Sequence, residues 1–241
     1  MTLTDLALQP LPAGHPCHDC RVRDQALCSV LECKALAEFK GLGSTLRLRT
    51  GETLFREGDA AERVFTITKG SLKLCRLLAD GRRQIVAFKF PGDFLGISVD
   101  DAHKFTADVI EDTQLCSFRR DRFANFLAEH PGLQRQLYQF AAHELGAAQQ
   151  QFVILGRKTA EQRLASFLLL LADRTARSGT PGTGFLDLPM SRGDIADYLA
   201  LTKETVSRLF SALRAQRLIR FHTLHRVEIL DRPALEKAAE A

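Results

Sequence analysis

Ser191-Arg-Gly-Asp-Ile-Ala-Asp-Tyr-Leu-Ala-Leu-Thr-Lys-Glu-Thr-Val-Ser-Arg-Leu-Phe-Ser-Ala-Leu213 decides the architecture of this 241-residue chain, because it resolves into two short helices joined by a tight turn. Ser191 can cap the first helix, with Asp194 three residues on in capping-box spacing. Thr202 can cap the second after the Ala200-Leu201 turn. Ile195, Leu199, Val206, Leu209 and Leu213 then share an inward face, which leaves Lys203, Glu204, Ser207 and Arg208 outward. Those outward residue types can read base edges: arginine pairs with guanine, glutamate accepts from the cytosine amino group, and serine bonds several bases or a phosphate. Arg192 and Arg214 are placed for phosphates.

An ordinary solvated helix pair also shows charged outward faces. Two features favour the nucleic-acid reading. The helices are too short to be stable alone, and Leu218-Ile-Arg-Phe221 followed by Arg226-Val-Glu-Ile-Leu230 reads as a two-stranded wing beside them. The net charge is only +4, so whole-chain electrostatics say little; the basic residues gather in the last third.

Upstream, residues from about Leu46 to Phe118 alternate in polarity, as in Val64-Phe-Thr-Ile-Thr68 and Ser71-Leu-Lys-Leu-Cys-Arg-Leu77. Thr50-Gly51, Gly58-Asp59, Lys69-Gly70, Asp80-Gly81 and Pro91-Gly-Asp93 fall between the runs as turn chemistry. Short strands at this spacing predict a small antiparallel barrel or roll. From Pro131 the period changes. Tyr138, Ala141, Leu145, Ala148, Phe152 and Leu155 recur at steps of three and four, the spacing of a coiled-coil seam on one long helix. Such a seam can pack on the chain's own roll or on a parallel copy of itself. A second helix, about Thr159 to Arg177, carries Leu164, Phe167, Leu168 and Leu171 on one face, and a Gly/Pro-rich break follows from Ser178.

The N-terminus has no basic region before an apolar run, and no stretch is long and apolar enough to span a membrane, so a cytoplasmic location is expected. Six cysteines in such a protein point to metal or redox chemistry ahead of disulfides. Cys17-His-Asp-Cys20 is a C-x2-C pair and Cys28 follows after seven residues, in a loop bounded by Pro16. Three thiolates at that spacing can converge on one metal centre. Zinc would want a fourth ligand, for which His15 and His18 are available. An iron-sulfur centre would want a fourth thiolate, and Cys116 on a strand of the roll could provide it; alone, Cys116 reads equally as a small buried hydrophobe. Cys33 and Cys75 take that second reading.

The Cys-rich leader, the glycine-punctuated roll, the long helix and Arg192-Gly-Asp-Ile-Ala-Asp-Tyr-Leu-Ala-Leu-Thr-Lys-Glu-Thr-Val-Ser-Arg-Leu209 together resemble the FNR branch of the CRP/FNR regulators over nearly the whole chain. The resemblance implies an α+β chain with an N-terminal cyclic-nucleotide-binding-like β-roll, a long dimerisation helix and a C-terminal winged helix-turn-helix. Its divisions would be a cluster-binding leader over 1–40, a sensor roll over 41–130, a dimerisation helix over 131–157 and a DNA-binding domain over 158–241. It implies a homodimer on double-stranded DNA, with Glu204, Ser207 and Arg208 contacting a TTGAT-type half-site and Arg192, Thr202 and Lys203 beside them. The dimer seam would be Tyr138, Ala141, Leu145, Ala148 and Phe152, with Ala148 where some members carry an acid. A [4Fe-4S] cluster would sit on Cys17, Cys20, Cys28 and Cys116, and RNA polymerase would be met through exposed loops such as Leu78-Ala-Asp-Gly-Arg-Arg83.

Pro91-Gly-Asp-Phe-Leu-Gly-Ile-Ser-Val-Asp-Asp101 lacks the Gly-Glu and Arg-Ser arrangement of the cyclic-AMP branch and sets Asp100 and Asp101 without a facing arginine, so no cyclic nucleotide is expected. A family member with another small ligand, its cysteines binding zinc or nothing, is one rival. An iron-sulfur enzyme with an incidental basic domain is another, but the chain has no nucleophile-base pairing, P-loop or dinucleotide fingerprint.

Overall fold

The computed structural model describes residues 11, 14–15, 17–98, 100–177 and 184–240. Pro16 and the Gly/Pro-rich break at 178–183 lie outside them, as does position 99 within the Pro91 to Asp101 loop. The chain divides into two compact units, residues 1–75 with 88–143 and residues 76–87 with 144–241.

In the first unit, strands β1 (Gly43–Leu48), β2 (Thr53–Phe55), β3 (Arg63–Leu77), β4 (Arg83–Lys89), β5 (Phe94–Leu95) and β6 (Thr106–Arg119) build the roll. The end of β3 from Arg76 and most of β4, from Arg83 to Ala87, fall in the second unit. The path is β1-β6-β3-β4, with β2 pairing β6 and β5 pairing β3. The alternation seen in the sequence becomes an inner face of Phe65, Ile67, Leu72, Leu95, Ala107, Val109 and Leu115, all buried.

One expected turn is not a turn. Lys69-Gly70 lies inside the continuous β3, where the register against β6 slips. Gly70 has φ +81°, and a Cβ there would meet the Asp112 carbonyl at 2.5 Å, so only glycine fits this bulge. The sequence cue, a glycine between two alternating runs, is the same for a bulge and a hairpin.

Three elements of this unit carry too short a pattern to be read from the sequence: a 3-10 turn at Leu27–Val30, α1 (Cys33–Gly41) and α2 (Arg120–Glu129). Their reason is a second core. Phe39 of α1 stacks on Phe118 of β6 at 4.3 Å between ring centroids and tilts against Phe126 of α2 at 5.2 Å. Leu11, Cys17, Leu27, Leu31, Leu36, Phe94 and Leu133 close around these rings. The leader is thus part of the roll's packing. Truncating a buried ring of this kind costs about 3–5 kcal/mol.

The long helix α3 (Pro131–Arg157) begins on this core through Leu133, with Leu137 and Phe140 against it. Its expected seam is on the surface: Tyr138, Leu145 and Phe152 are 75%, 61% and 74% exposed, and Ala141 and Ala148 are exposed too. None of the described residues covers the seam.

In the second unit, α4 (Ala160–Arg177) buries Leu164, Phe167, Leu168 and Leu171. The unit continues with β7 (Phe185–Asp187), α5 (Arg192–Leu199), α6 (Lys203–Ala215), β8 (Ile219–Thr223), β9 (Arg226–Ile229) and α7 (Arg232–Glu240). The wing has three strands, ordered β7-β9-β8, where two were expected; β7 is too short to show a period. No helix of the described residues is long and apolar enough to cross a membrane.

Candidate metal centre and nucleic-acid interface

The two helices of the opening stretch form as their caps dictate. Ser191 Oγ accepts from the Asp194 amide at 3.0 Å, and Asp194 Oδ2 accepts from the Ser191 amide at 3.1 Å, which completes the capping box. Ala200 ends α5 in the left-handed region at φ 53°, and Thr202 Oγ1 then caps α6 by accepting from the Thr205 amide. Ile195, Leu199, Val206 and Leu213 are fully buried, as their spacing requires. Leu209 is only half-buried, and Phe210, absent from the expected inward set, is 2% exposed. The helix is rotated slightly so that the larger ring takes the core.

Lys203, Glu204, Ser207 and Arg208 form an exposed face of α6. Ser207 donates to the Lys203 carbonyl at 2.9 Å, and an Arg208 Nη lies 3.4 Å from the Thr205 hydroxyl, so both polar groups are lightly held. Arg214 is exposed as well. Arg192 differs: its guanidinium lies 3.4 Å from the centroid of Phe210 and 4.9 Å from that of Phe221, and burial pulls its pKa down to about 10. It joins α5, α6 and the wing as a cation over two rings.

The thiols gather elsewhere. Cys17, Cys20 and Cys28 of the leader and Cys116 of β6 line one small recess, partly open to solvent, with Thr66, Phe39, Lys40 and Arg23 on its walls. Cys116 sits mid-sheet, opposite Thr45 of β1 on one side and Thr66 of β3 on the other. Burial and the neighbouring thiols raise the pKa of Cys17 and push that of Cys28 up to about 12. Bare thiolates at Cys17 and Cys28 are therefore unfavourable here, and a positively charged centre beside them would reverse the balance. Cys33 begins α1 at the edge of the aromatic core, and Cys75 is buried on β3.

The expected histidines do not join this set. His15 Nδ1 accepts from the Cys17 amide and its Nε2 faces the Cys33 carbonyl, while His18 bonds Asp19 on the surface. Among the described residues no three His, Cys, Asp or Glu side chains are grouped for a single metal ion. Around one tetrahedral zinc, thiolates would stand about 3.8 Å apart. A polynuclear centre binds each thiolate to its own iron and so needs a wider ring of sulfurs.

Two cations at the recess carry no signature in the sequence. Lys40 Nζ, in the last turn of α1, donates to Cys116 Sγ at 3.3 Å and to Thr45 Oγ1 at 3.1 Å. Arg23 lines the recess with a buried Nε that has no hydrogen-bond partner among the described residues. A [4Fe-4S] core on four thiolates carries a net charge of about 2−, so two flanking cations and an orphaned donor fit such a group.

The loop at Ser98 to Asp101 corrects a further expectation. It does have a facing arginine: Arg120 donates to the carbonyls of Ser98 and Asp100 and lies 4.0 Å from the Asp101 carboxylate. That guanidinium is committed to the chain's own backbone.

A β-roll with a cysteine-lined recess, a long helix with a bare apolar seam, and a capped helix-turn-helix with a three-stranded wing define a DNA-binding transcription regulator. A Crp-like helix-turn-helix domain model matches residues 162–238 and a cyclic nucleotide-binding domain model residues 45–130. The nitrogen fixation regulation protein FixK of Bradyrhizobium diazoefficiens is 44% identical over 203 residues, spanning 84% of this chain and 85% of FixK. The transcriptional activator protein FnrL of Cereibacter sphaeroides is 33% identical over 222 residues, 90% of this chain and 89% of FnrL. The solved structure of FixK2 from Bradyrhizobium japonicum aligns with a TM-score of 0.76 at 35% identity, over 83% of this chain and 98% of that one. The chain belongs to the CRP/FNR family of transcription regulators.

Proposed function

We propose that this regulator is oxygen- and redox-responsive, of the FNR type. It acts in the cytoplasm as a homodimer on an inverted repeat of TTGAT-like half-sites and controls anaerobic or microaerobic genes. The observation that carries this reading is the convergence of Cys17, Cys20, Cys28 and Cys116 on one recess. These four residues would hold a [4Fe-4S] cluster, which supplies an oxygen-labile redox centre when bound.

The chain's own residues supply the transmission. Ligation through Cys116 ties the leader to β6, and the leader shares its aromatic core with Leu133, Leu137 and Phe140 at the start of α3. Tyr138, Ala141, Leu145, Ala148 and Phe152 follow on the same helix as the dimer seam. Loosening the leader therefore removes packing beneath the first turns of the dimer helix, a coupling free energy between thiols and seam. Ala148 puts no charge in the seam, so the cluster-free chain keeps part of its dimer affinity. Glu204, Ser207 and Arg208 then read bases, Lys203 and Arg214 hold phosphates, and Arg192 and Thr202 set the helix that presents them.

FnrL, the relative called a transcriptional activator, supports activation through RNA polymerase. The tip of the β3–β4 hairpin offers a surface for it, with Leu77 and Leu78 69% and 40% exposed. Arg120's commitment to backbone carbonyls supports a roll that takes no cyclic nucleotide.

The test is anaerobic purification with iron and acid-labile sulfide assays, an absorption spectrum and binding to the TTGAT repeat, before and after air, for the wild type, Cys20→Ser and Cys116→Ser. The expected result is four iron and four sulfide per chain, colour and DNA affinity lost together in air, and failure of both variants. A colourless or zinc-only protein that binds the same DNA with or without air would leave the regulator standing and remove the oxygen sensor.

A further inference from the structure

Cys116 is held differently from the three leader thiols. It lies mid-sheet with Thr45 and Thr66 as cross-strand neighbours, and among the described residues it alone of the four receives a side-chain donor, Lys40 Nζ at 3.3 Å. Lys40 is itself anchored to Thr45 Oγ1 at 3.1 Å, so the ammonium is fixed between helix and sheet. On the leader side, Arg23 lines the same recess with its buried Nε unpartnered among the described residues. Burying a guanidinium nitrogen without an acceptor is costly unless a negative group faces it.

We propose that Lys40 and Arg23 are positioning residues that clamp the group held by the four thiols and set its reduction potential and its lifetime in air. This rests on the cluster reading above. A cation donating to a ligand sulfur stabilises the more negative, reduced form, so the pair raises the potential and slows oxidative loss. Lys40 acts through the Cys116 sulfur, Arg23 through charge on the leader side.

The experiment is anaerobic redox titration of the reconstituted full chain, followed optically and by electron paramagnetic resonance, with the half-life of the visible band in air as a second readout. Lys40→Gln is expected to keep its iron and sulfide, shift the midpoint to a more negative value and shorten the half-life several-fold. Lys40→Arg should restore both, and Arg23→Gln should shift the midpoint in the same direction by a smaller amount. Loss of iron in Lys40→Gln with retention in Lys40→Arg also supports the clamp; equal loss in both overturns it. Wild-type midpoint and half-life in Lys40→Gln, with the wild type fully loaded, overturn the clamp alone. A wild type that takes up no iron and sulfide overturns the clamp and the cluster reading together.

Discussion

Arg208 and Lys203 stand five residues apart on α6 and are both exposed, yet they are expected to do different work. Arg208 can pair bidentately with a guanine edge, and its light contact with Thr205 Oγ1 is easily exchanged for that pairing. Arg208→Ala should weaken binding to a TTGAT repeat by about 1–3 kcal/mol per half-site and flatten the preference at the guanine position. Lys203→Ala should weaken binding to all sequences alike and lower the slope of log K against log salt by about one per protomer. Fluorescence anisotropy on wild-type and base-substituted duplexes separates the two. A uniform loss in Arg208→Ala would reassign that residue to the backbone. The residue scale also shows where side-chain identity misleads. Arg192 reads in sequence as a phosphate ligand, but its guanidinium lies over Phe210 and Phe221, so substituting it disturbs packing as well as charge.

At the scale of elements, α3 carries the most consequential surface. Tyr138, Leu145 and Phe152 are large, exposed and on one stripe, while Ala141 and Ala148 between them allow close approach but little buried area. A parallel pair of such helices is of moderate strength. Leu145→Glu would set two carboxylates against each other across the seam and should yield a monomer at micromolar concentration. Because Leu145 is exposed in the isolated chain, the same change should leave the monomer folded, with a thermal midpoint lowered only by loss of the dimer and no longer dependent on protein concentration. Analytical ultracentrifugation beside thermal unfolding checks both halves; a Leu145→Glu protein that stays dimeric would move the interface off this helix. The α5 capping box has a counterpart to its N-cap pairing. Asp194 also accepts from Arg83 at 3.0 Å, and Arg83 reaches Asp197 at 2.8 Å, so the hairpin tip and α5 share a three-residue charge network within the second unit.

For the whole molecule, division into two compact units predicts unfolding that is not two-state. Phe39→Ala removes the ring at the centre of the first unit's aromatic core, and Ser191→Ala removes the α5 cap in the second. The first should lower only one calorimetric component, by about 3–5 kcal/mol, and the second only the other, by about 0.5–2 kcal/mol. A single transition shifted by both substitutions would show that the units unfold as one. The thiol recess belongs wholly to the first unit and the reading helix wholly to the second. Regulation then requires a connecting element, and α3, which begins on the first unit's core and ends in the second, has that position in the chain.

Sequence by itself determined whatever local pattern specifies. Caps at Ser191 and Thr202, the inward spacing of Ile195, Leu199, Val206 and Leu213 and the alternation of the strands are properties of neighbouring residues, and each survives in the fold. The C-x2-C pair and Cys28 likewise announce themselves by spacing. Tertiary structure alone decided what depends on residues far apart in the chain. It made Lys69-Gly70 a bulge rather than a turn, because register with β6 is set by long-range pairing. It turned Phe210 inward, because only the assembled core has room for its ring. It added β7 to the wing and α1 to the roll, elements too short to show a period but held by what they pack against. It also brought Lys40 to the Cys116 sulfur across 76 residues of sequence, a contact no spacing encodes because helix packing on a sheet creates it.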